Sequence, residues 1–104
     1  MAVGMLLAGE GVSRDAYVGV TEKMFGNYPM RSEQSPEGLI LHTAGETSEG
    51  WYIYDVWESR DHFLRFNEQQ VGPAMQELMG GEQAEGQPVP QPQFFDIEVL
   101  VSAT

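Results

Sequence analysis

Residues 39–66 read LILHTAGETSEGWYIYDVWESRDHFLRF. Leu39–Ala44 is an apolar run. Gly45–Gly50 is a polar stretch with a glycine at each end, and Trp51–Trp57 is dense in β-branched and aromatic residues. Two such runs joined by a short polar turn read as a β-hairpin. Ser59 then supplies a helix N-cap, and Phe63, Phe66 and Gln70 follow at helical spacing. The stretch therefore predicts strand, turn, strand and helix in immediate succession.

Working outward, Ala2–Ala8 is a continuous apolar run, compatible with a buried strand. Gly9-Glu10-Gly11 breaks it. Ser13 caps a helix to about Phe25, with Asp15 in its first turn and Tyr17, Val20, Thr21 and Met24 on one face. Gly26 is a C-terminal stop. Asn27–Gly38 carries two prolines and reads as a loop. Downstream of Ser59, Gly72-Pro73 breaks or kinks the helix, since proline lacks the N–H and crowds the preceding turn. Pro73 can instead open a second helical segment bearing Met75, Leu78 and Met79. Gly80–Gln93 is a proline-punctuated connection. Phe94–Val101 is the last strand, with Phe95, Ile97, Val99 and Val101 on one face. The order is β-α-β-β-α-β, the ferredoxin-like split βαβ arrangement with an antiparallel four-stranded sheet, an α+β fold.

The chain has 104 residues and a net charge of −11. That length predicts one domain over residues 1–104 with one modest core. The acidic balance argues against nucleic acid and anionic membranes as partners. There is no cysteine. Disulfides and thiolate chemistry are thereby excluded, and a reducing cytoplasm is the expected compartment. Met1–Ala8 is apolar but short and lacks a basic flank, so it reads as a strand and not a signal peptide. No run approaches the roughly 18 apolar residues of a membrane span.

On the third strand Trp51, Ile53, Asp55 and Trp57 share one face, and Tyr52, Tyr54 and Val56 the other. Both faces are largely apolar. Two helices cover only one face of such a sheet, so a homodimer through the other sheet face is the expected assembly. Half-exposed tyrosines with their hydroxyls in water are the simpler alternative.

The run Tyr54-Asp55-Val56-Trp57-Glu58-Ser59-Arg60-Asp61-His62-Phe63 resembles the core of antibiotic biosynthesis monooxygenase-like domains of the dimeric α/β-barrel superfamily. Motif-level likeness spans about Trp51–Phe66, and the rest matches by topology and length. The resemblance implies a homodimer whose two sheets face each other in a barrel, with a pocket between sheet and helices in each subunit. Some members of that family oxidise phenolic polyketides with O₂ and no metal or flavin, others degrade haem, and many have no known activity. Family members often carry a histidine three residues after the helix phenylalanine. Here Phe66 stands in that place, followed by Asn67. The chain is closer to the cofactor-free phenol oxidisers, which are associated with tryptophan and asparagine in the pocket. Trp57 and Asn67 are the candidates for those roles.

Each candidate residue has a functional and a plain structural reading. His42, mid-strand in an apolar run, is a base near neutral pH or a satisfied core histidine. Trp57 and Trp51 stack a flat substrate or simply fill the core. Tyr54, like Tyr52, offers a hydroxyl to a phenol or carbonyl, or contacts the partner subunit. Asp55 is a base with a raised pKa or, the favoured reading, a carboxylate paired with an arginine. Asn67 donates to a ligand oxygen or faces solvent. Glu58, Asp61 and His62 lack a second histidine at ligand spacing, and helix-start acids follow from the dipole, so no metal is expected. No Ser-His-Asp set, phosphate loop or dinucleotide fingerprint is present.

The expected function is thus a small-molecule pocket protein resembling cofactor-independent monooxygenases that oxidise aromatic, polyketide-like metabolites with O₂, and no cofactor is expected. His42 and Asn67 are the candidate catalytic residues, and Trp57, Trp51, Tyr54 and Phe66 the candidate binding residues for a small aromatic or apolar ligand. The alternatives are a cyclase or isomerase doing acid–base work without O₂, and a non-catalytic ligand-binding or structural dimer. Haem degradation is a more distant third, since an acidic chain suits a propionate-bearing ligand poorly.

Overall fold

Two serines start the helices. In the computed structural model, which describes residues 2–9, 12–78, 91–101 and 103, the Ser13 hydroxyl accepts the Ala16 amide at 3.2 Å and opens α1 (Arg14–Phe25). The Ser59 hydroxyl accepts the His62 amide at 3.3 Å and opens α2 (Arg60–Phe66). Each cap satisfies an amide that has no partner inside the helix. Gly26 ends α1 in the left-handed region, φ 77°, with its amide on the Glu22 carbonyl at 2.8 Å. A side chain there would be strained, so glycine is the natural stop.

The strands are β1 (Val3–Ala8), β2 (Leu39–Thr47), β3 (Gly50–Trp57) and β4 (Gln93–Asp96), and α3 (Gly72–Leu78) follows α2. They form one sheet in the order β2-β3-β1-β4, with every neighbouring pair antiparallel. Counting α2 and α3 as one interrupted helix, the order is β-α-β-β-α-β, the expected α+β arrangement.

Three boundaries differ from the sequence reading. The polar stretch 45–50 is mostly strand: Gly45 pairs with Tyr52, Glu46 with Trp51 and Thr47 with Gly50, which leaves a two-residue turn at Ser48-Glu49. The Thr47 hydroxyl closes that turn, accepting the Glu49 amide and donating to the Gly50 carbonyl. β4 stops at Asp96, five residues short of expectation. Among the described residues its only neighbour is β1, and the Ile97 amide already reaches Ala2, so the ladder runs out of partner. Val99, Leu100 and Val101 leave the sheet and are exposed. Finally, α2 does not break at Gly72-Pro73 but widens before it into a π turn, Asn67–Val71, where the Gly72 amide reaches the Asn67 carbonyl. Widening relieves the clash that the Pro73 ring would make with the turn before it. α3 then starts at Gly72-Pro73, as a proline-opened segment should. Met79 and most of the connection 80–93 lie outside the described residues.

The core lies on the helix-covered face. Met5, Trp57 and Phe63 are buried together, with Val3, Leu7, Leu39, Ile53, Phe66 and Phe94 packed around them. Trp57 meets Phe63 edge-on at 5.7 Å and Phe66 at 5.6 Å between ring centroids. On the opposite face Tyr54 stacks on Phe95 at 6.0 Å. The Phe95 ring lies across Gly4, where any Cβ would collide with it. Among the described residues no helix is long and apolar enough to cross a membrane.

Candidate functional site

His42 on β2 and Asp55 on β3 are cross-strand partners. Their side chains share the helix-covered face, and His42 Nδ1 lies 2.6 Å from Asp55 Oδ1. The other carboxylate oxygen, Oδ2, accepts the Trp57 indole N–H at 3.2 Å, two residues along the same face of β3. Asp55 is 4% exposed. A buried carboxylate is tolerable only when its oxygens are held in this way. The expected arginine is not its partner: histidine and tryptophan take both oxygens, and Arg14, Arg31, Arg60 and Arg65 are all exposed.

From above, α1 lowers Tyr17 onto the histidine. The Tyr17 hydroxyl lies 2.5 Å from His42 Nε2, and the two rings stack with an interplanar angle of 16°. An ionised Asp55 can only accept, so His42 Nδ1–H donates to it. Nε2 of the neutral ring then accepts the Tyr17 hydroxyl proton. The result is a chain of hydrogen bonds, Tyr17–His42–Asp55–Trp57. Burial, with Tyr28 and Asp55 adding repulsion, pushes the Tyr17 pKa up to about 12, so its hydroxyl stays neutral.

This chain opens into a pocket between the sheet, α1 and the 30–36 loop. Its polar groups are Tyr17, Thr21, His42 and Asp55, and its apolar walls include Met24, Met30, Leu39, Trp57 and Phe66. Counted out to the open mouth, the space is about 350 Å³, of which about 50 Å³ is clear for a water-sized molecule. Ligand pockets typically hold roughly 300–1,000 Å³. A flat ring therefore needs the methionines or Phe66 to swing aside, and methionine is the side chain best suited to that. Pro36 and Phe66 also border a second, polar and more open groove with His62, Arg65, Gln69 and Gln70, about 470 Å³ out to its mouth, of which about 180 Å³ is clear for water.

Of the residues named from the sequence, His42, Trp57 and Phe66 line the pocket. Trp51 shares their sheet face but packs against Tyr17, with centroids 5.6 Å apart, and does not line the pocket. Tyr54 is on the opposite face, where strand alternation must put the neighbour of Asp55. Asn67 opens the π turn one position past Phe66 and is exposed, so it does not reach the pocket. His62 lies in the outer groove, with Nδ1 2.6 Å from the Ser59 hydroxyl. Sequence reasoning assigned no chemistry to Tyr17. Its place on the buried face of α1 was readable, but its contact with His42 depends on how that helix lies across β2.

No family model matches the chain, and no curated protein matches it. Solved structures do. A protein provisionally assigned as an antibiotic biosynthesis monooxygenase from Deinococcus radiodurans superposes with a TM-score of 0.56 at 10% identity, covering 100% of this chain and 99% of that one. The ActVA-Orf6 monooxygenase of Streptomyces coelicolor, in complex with nanaomycin D, gives 0.55 at 15% identity, covering 99% and 92%. A variant of SnoaB, a cofactor-independent oxygenase from Streptomyces nogalater, gives 0.51 at 14% identity, covering 96% and 94%. The likeness establishes the fold over the whole chain, the one expected from the strand-to-helix stretch at Trp51–Phe66.

Proposed function

We propose that the chain is a cofactor-independent oxygenase of small phenolic metabolites. The single observation that carries this reading is the histidine–aspartate pair held by Trp57 and facing a largely apolar pocket. Oxygenation of a phenol without a cofactor begins with loss of the phenolic proton, which makes the ring electron-rich enough to pass an electron to O₂. His42 is the proton acceptor. Asp55 fixes its tautomer and stabilises the imidazolium that forms, while the Trp57 N–H keeps the carboxylate aimed at the histidine. The apolar walls exclude water, which strengthens these interactions and protects the reduced oxygen intermediate. Trp57 and Phe66 supply the faces against which a ring can lie. The fold likeness to two described oxygenases, one of them holding nanaomycin D, supports the same reading.

The active unit is proposed to be a homodimer formed through the open sheet face, where Phe95 and Leu41 remain 43% and 46% exposed beside Tyr54. An acid–base cyclase or isomerase would use the same pair without O₂. Oxygen consumption matched to product separates the two.

The test is a panel of phenolic substrates followed by an oxygen electrode. His42→Ala should lower turnover by about 10²–10⁴-fold, the usual contribution of a general base, while the circular dichroism spectrum is unchanged. Equal turnover in that variant removes His42 from the reaction.

A further inference from the structure

His42 has two ring nitrogens, and both are occupied. Nδ1 is held by Asp55 at 2.6 Å and Nε2 by the Tyr17 hydroxyl at 2.5 Å. No nitrogen is left to meet a ligand. Tyr17, by contrast, lines the pocket beside Thr21, and a hydroxyl oxygen that donates to His42 still has two lone pairs with which to accept. Its ring is fixed on three sides, by His42 at 5.8 Å, Trp51 at 5.6 Å and Tyr28 at 6.0 Å between centroids. We infer that Tyr17 is a further catalytic residue, the group that meets the hydroxyl of a phenolic ligand and relays its proton to His42.

The inference rests on the reading of the pocket as a phenol site. In the relay the ligand O–H bond breaks and its proton joins the Tyr17 oxygen. The proton Tyr17 already carried passes to His42 Nε2. Tyr17 ends as a neutral hydroxyl, now donating to the ligand phenolate, and His42 ends as an imidazolium beside Asp55. One proton has moved from ligand to histidine, and no electron has moved. The groups that govern this step are His42 on β2, Asp55 on β3 and Tyr28 in the loop after α1. A hydroxyl that resists ionisation suits a conduit, because it is always ready to accept one proton and pass on another. The arrangement also selects for a ligand with a free acidic hydroxyl over its methyl ether.

The experiment uses 4-nitrophenol, whose phenolate absorbs in the visible, with 4-nitroanisole as its ether control. Wild type should bind 4-nitrophenol saturably, lower its apparent pKa, and bind the ether at least about tenfold more weakly, as expected when a site's hydrogen-bonding group is left unpaired. Tyr17→Phe should still bind the phenol but no longer lower its pKa. If Tyr17 only packs, Tyr17→Phe frees Nε2 and the bound phenol ionises as readily as before or more so, which overturns the relay. A wild type that binds no 4-nitrophenol, or binds it without a pKa change, overturns it too. Should the variant lose its fold, proton NMR of wild type decides. The Tyr17 hydroxyl proton, in so short a hydrogen bond, should resonate far downfield and move when 4-nitrophenol binds, and a resonance indifferent to the ligand sinks the proposal. Ionisation of bound 4-nitrophenol without oxygen uptake on any phenol would break the oxygenase reading and leave the relay standing.

Discussion

Neighbouring residues of β3 lead different lives. Asp55 and Trp57 point under the helices, where both carboxylate oxygens and the Trp57 N–H are bonded and Trp57 is 1% exposed. Tyr54, between Asp55 and Ile53, points the other way, half-buried and stacked on the Phe95 ring. One face of the sheet is a finished interior with a hydrogen-bonded chain through it. The other is an apolar surface with β4 and its ring as partial shelter. The contrast shows where burial stabilises the chain and where apolar side chains stay partly in water.

The largest effect should come from the finished face. Trp57→Ala removes the indole that touches Phe63 and Phe66 and leaves Asp55 Oδ2 without its donor. It should cost about 3–5 kcal/mol in urea unfolding, the range for large-to-small changes in a packed core. A loss below about 1 kcal/mol would mean that this face is less finished than its burial implies.

Next in size is a pH effect confined to the same face. The Tyr17 pKa is about 12 in the folded chain against 10 as a free side chain. Because the folded value is raised, the unfolded chain loses this proton first as pH rises. The stability that neutral Tyr17 supplies is fully present below pH 10 and is lost between pH 10 and 12. Discounted for solvent screening of a part-exposed hydroxyl, its size is about 1–2 kcal/mol. Denaturation curves across that window should fall more steeply for wild type than for Tyr17→Phe. Parallel curves would show that the phenol is better solvated than its position indicates.

The open face should answer differently. Tyr54→Ser is expected to change subunit stability by only about 1 kcal/mol, since it loses one aromatic contact on a part-covered surface. Sedimentation should show it shifting the proposed dimer toward monomer. An unchanged dimer would place the subunit contact elsewhere. The smallest effect expected is on Trp51. Its indole N–H is buried without a partner, so Trp51→Phe trades lost packing against removal of an unsatisfied donor and should fall within about 1 kcal/mol of wild type.

The same two faces explain what could be read from the chain. Strand alternation fixes which β3 residues share a side, so the company of Asp55 and Trp57 was legible, as was the opposite placement of Tyr54. The element order followed from two serine caps, Gly26 and the aromatic strand. The Tyr17–His42 bond was not legible, because it joins residues 25 apart through the packing of a helix on a sheet. Nor was the partner of Asp55. Charge counting favoured an arginine, whereas burial on the covered face gave it a histidine and an indole. Asn67 looked useful one residue past Phe66, but a helix turns by about 100° per residue, enough to carry a side chain from pocket to solvent. β4 was overextended because hydrophobic alternation at Val99 and Val101 says nothing about whether a partner strand reaches that far.

The π turn at Asn67–Val71 has a consequence for the register of everything after it. In an unbroken α-helix Ala74 would sit about 80° around the axis from Phe66, off the stripe that faces the interior. A wider turn takes up one extra residue and brings it back to within about 20°, so that Ala74 is buried and α3 lies against α1, with Leu78 packed on Gly19. The two halves of this helix are thus out of frame with each other in the sequence and in frame in space. Removing one residue from 67–71 would therefore let the helix run on as a plain α-helix with Ala74 and Leu78 still turned toward α1, the helix that carries Tyr17.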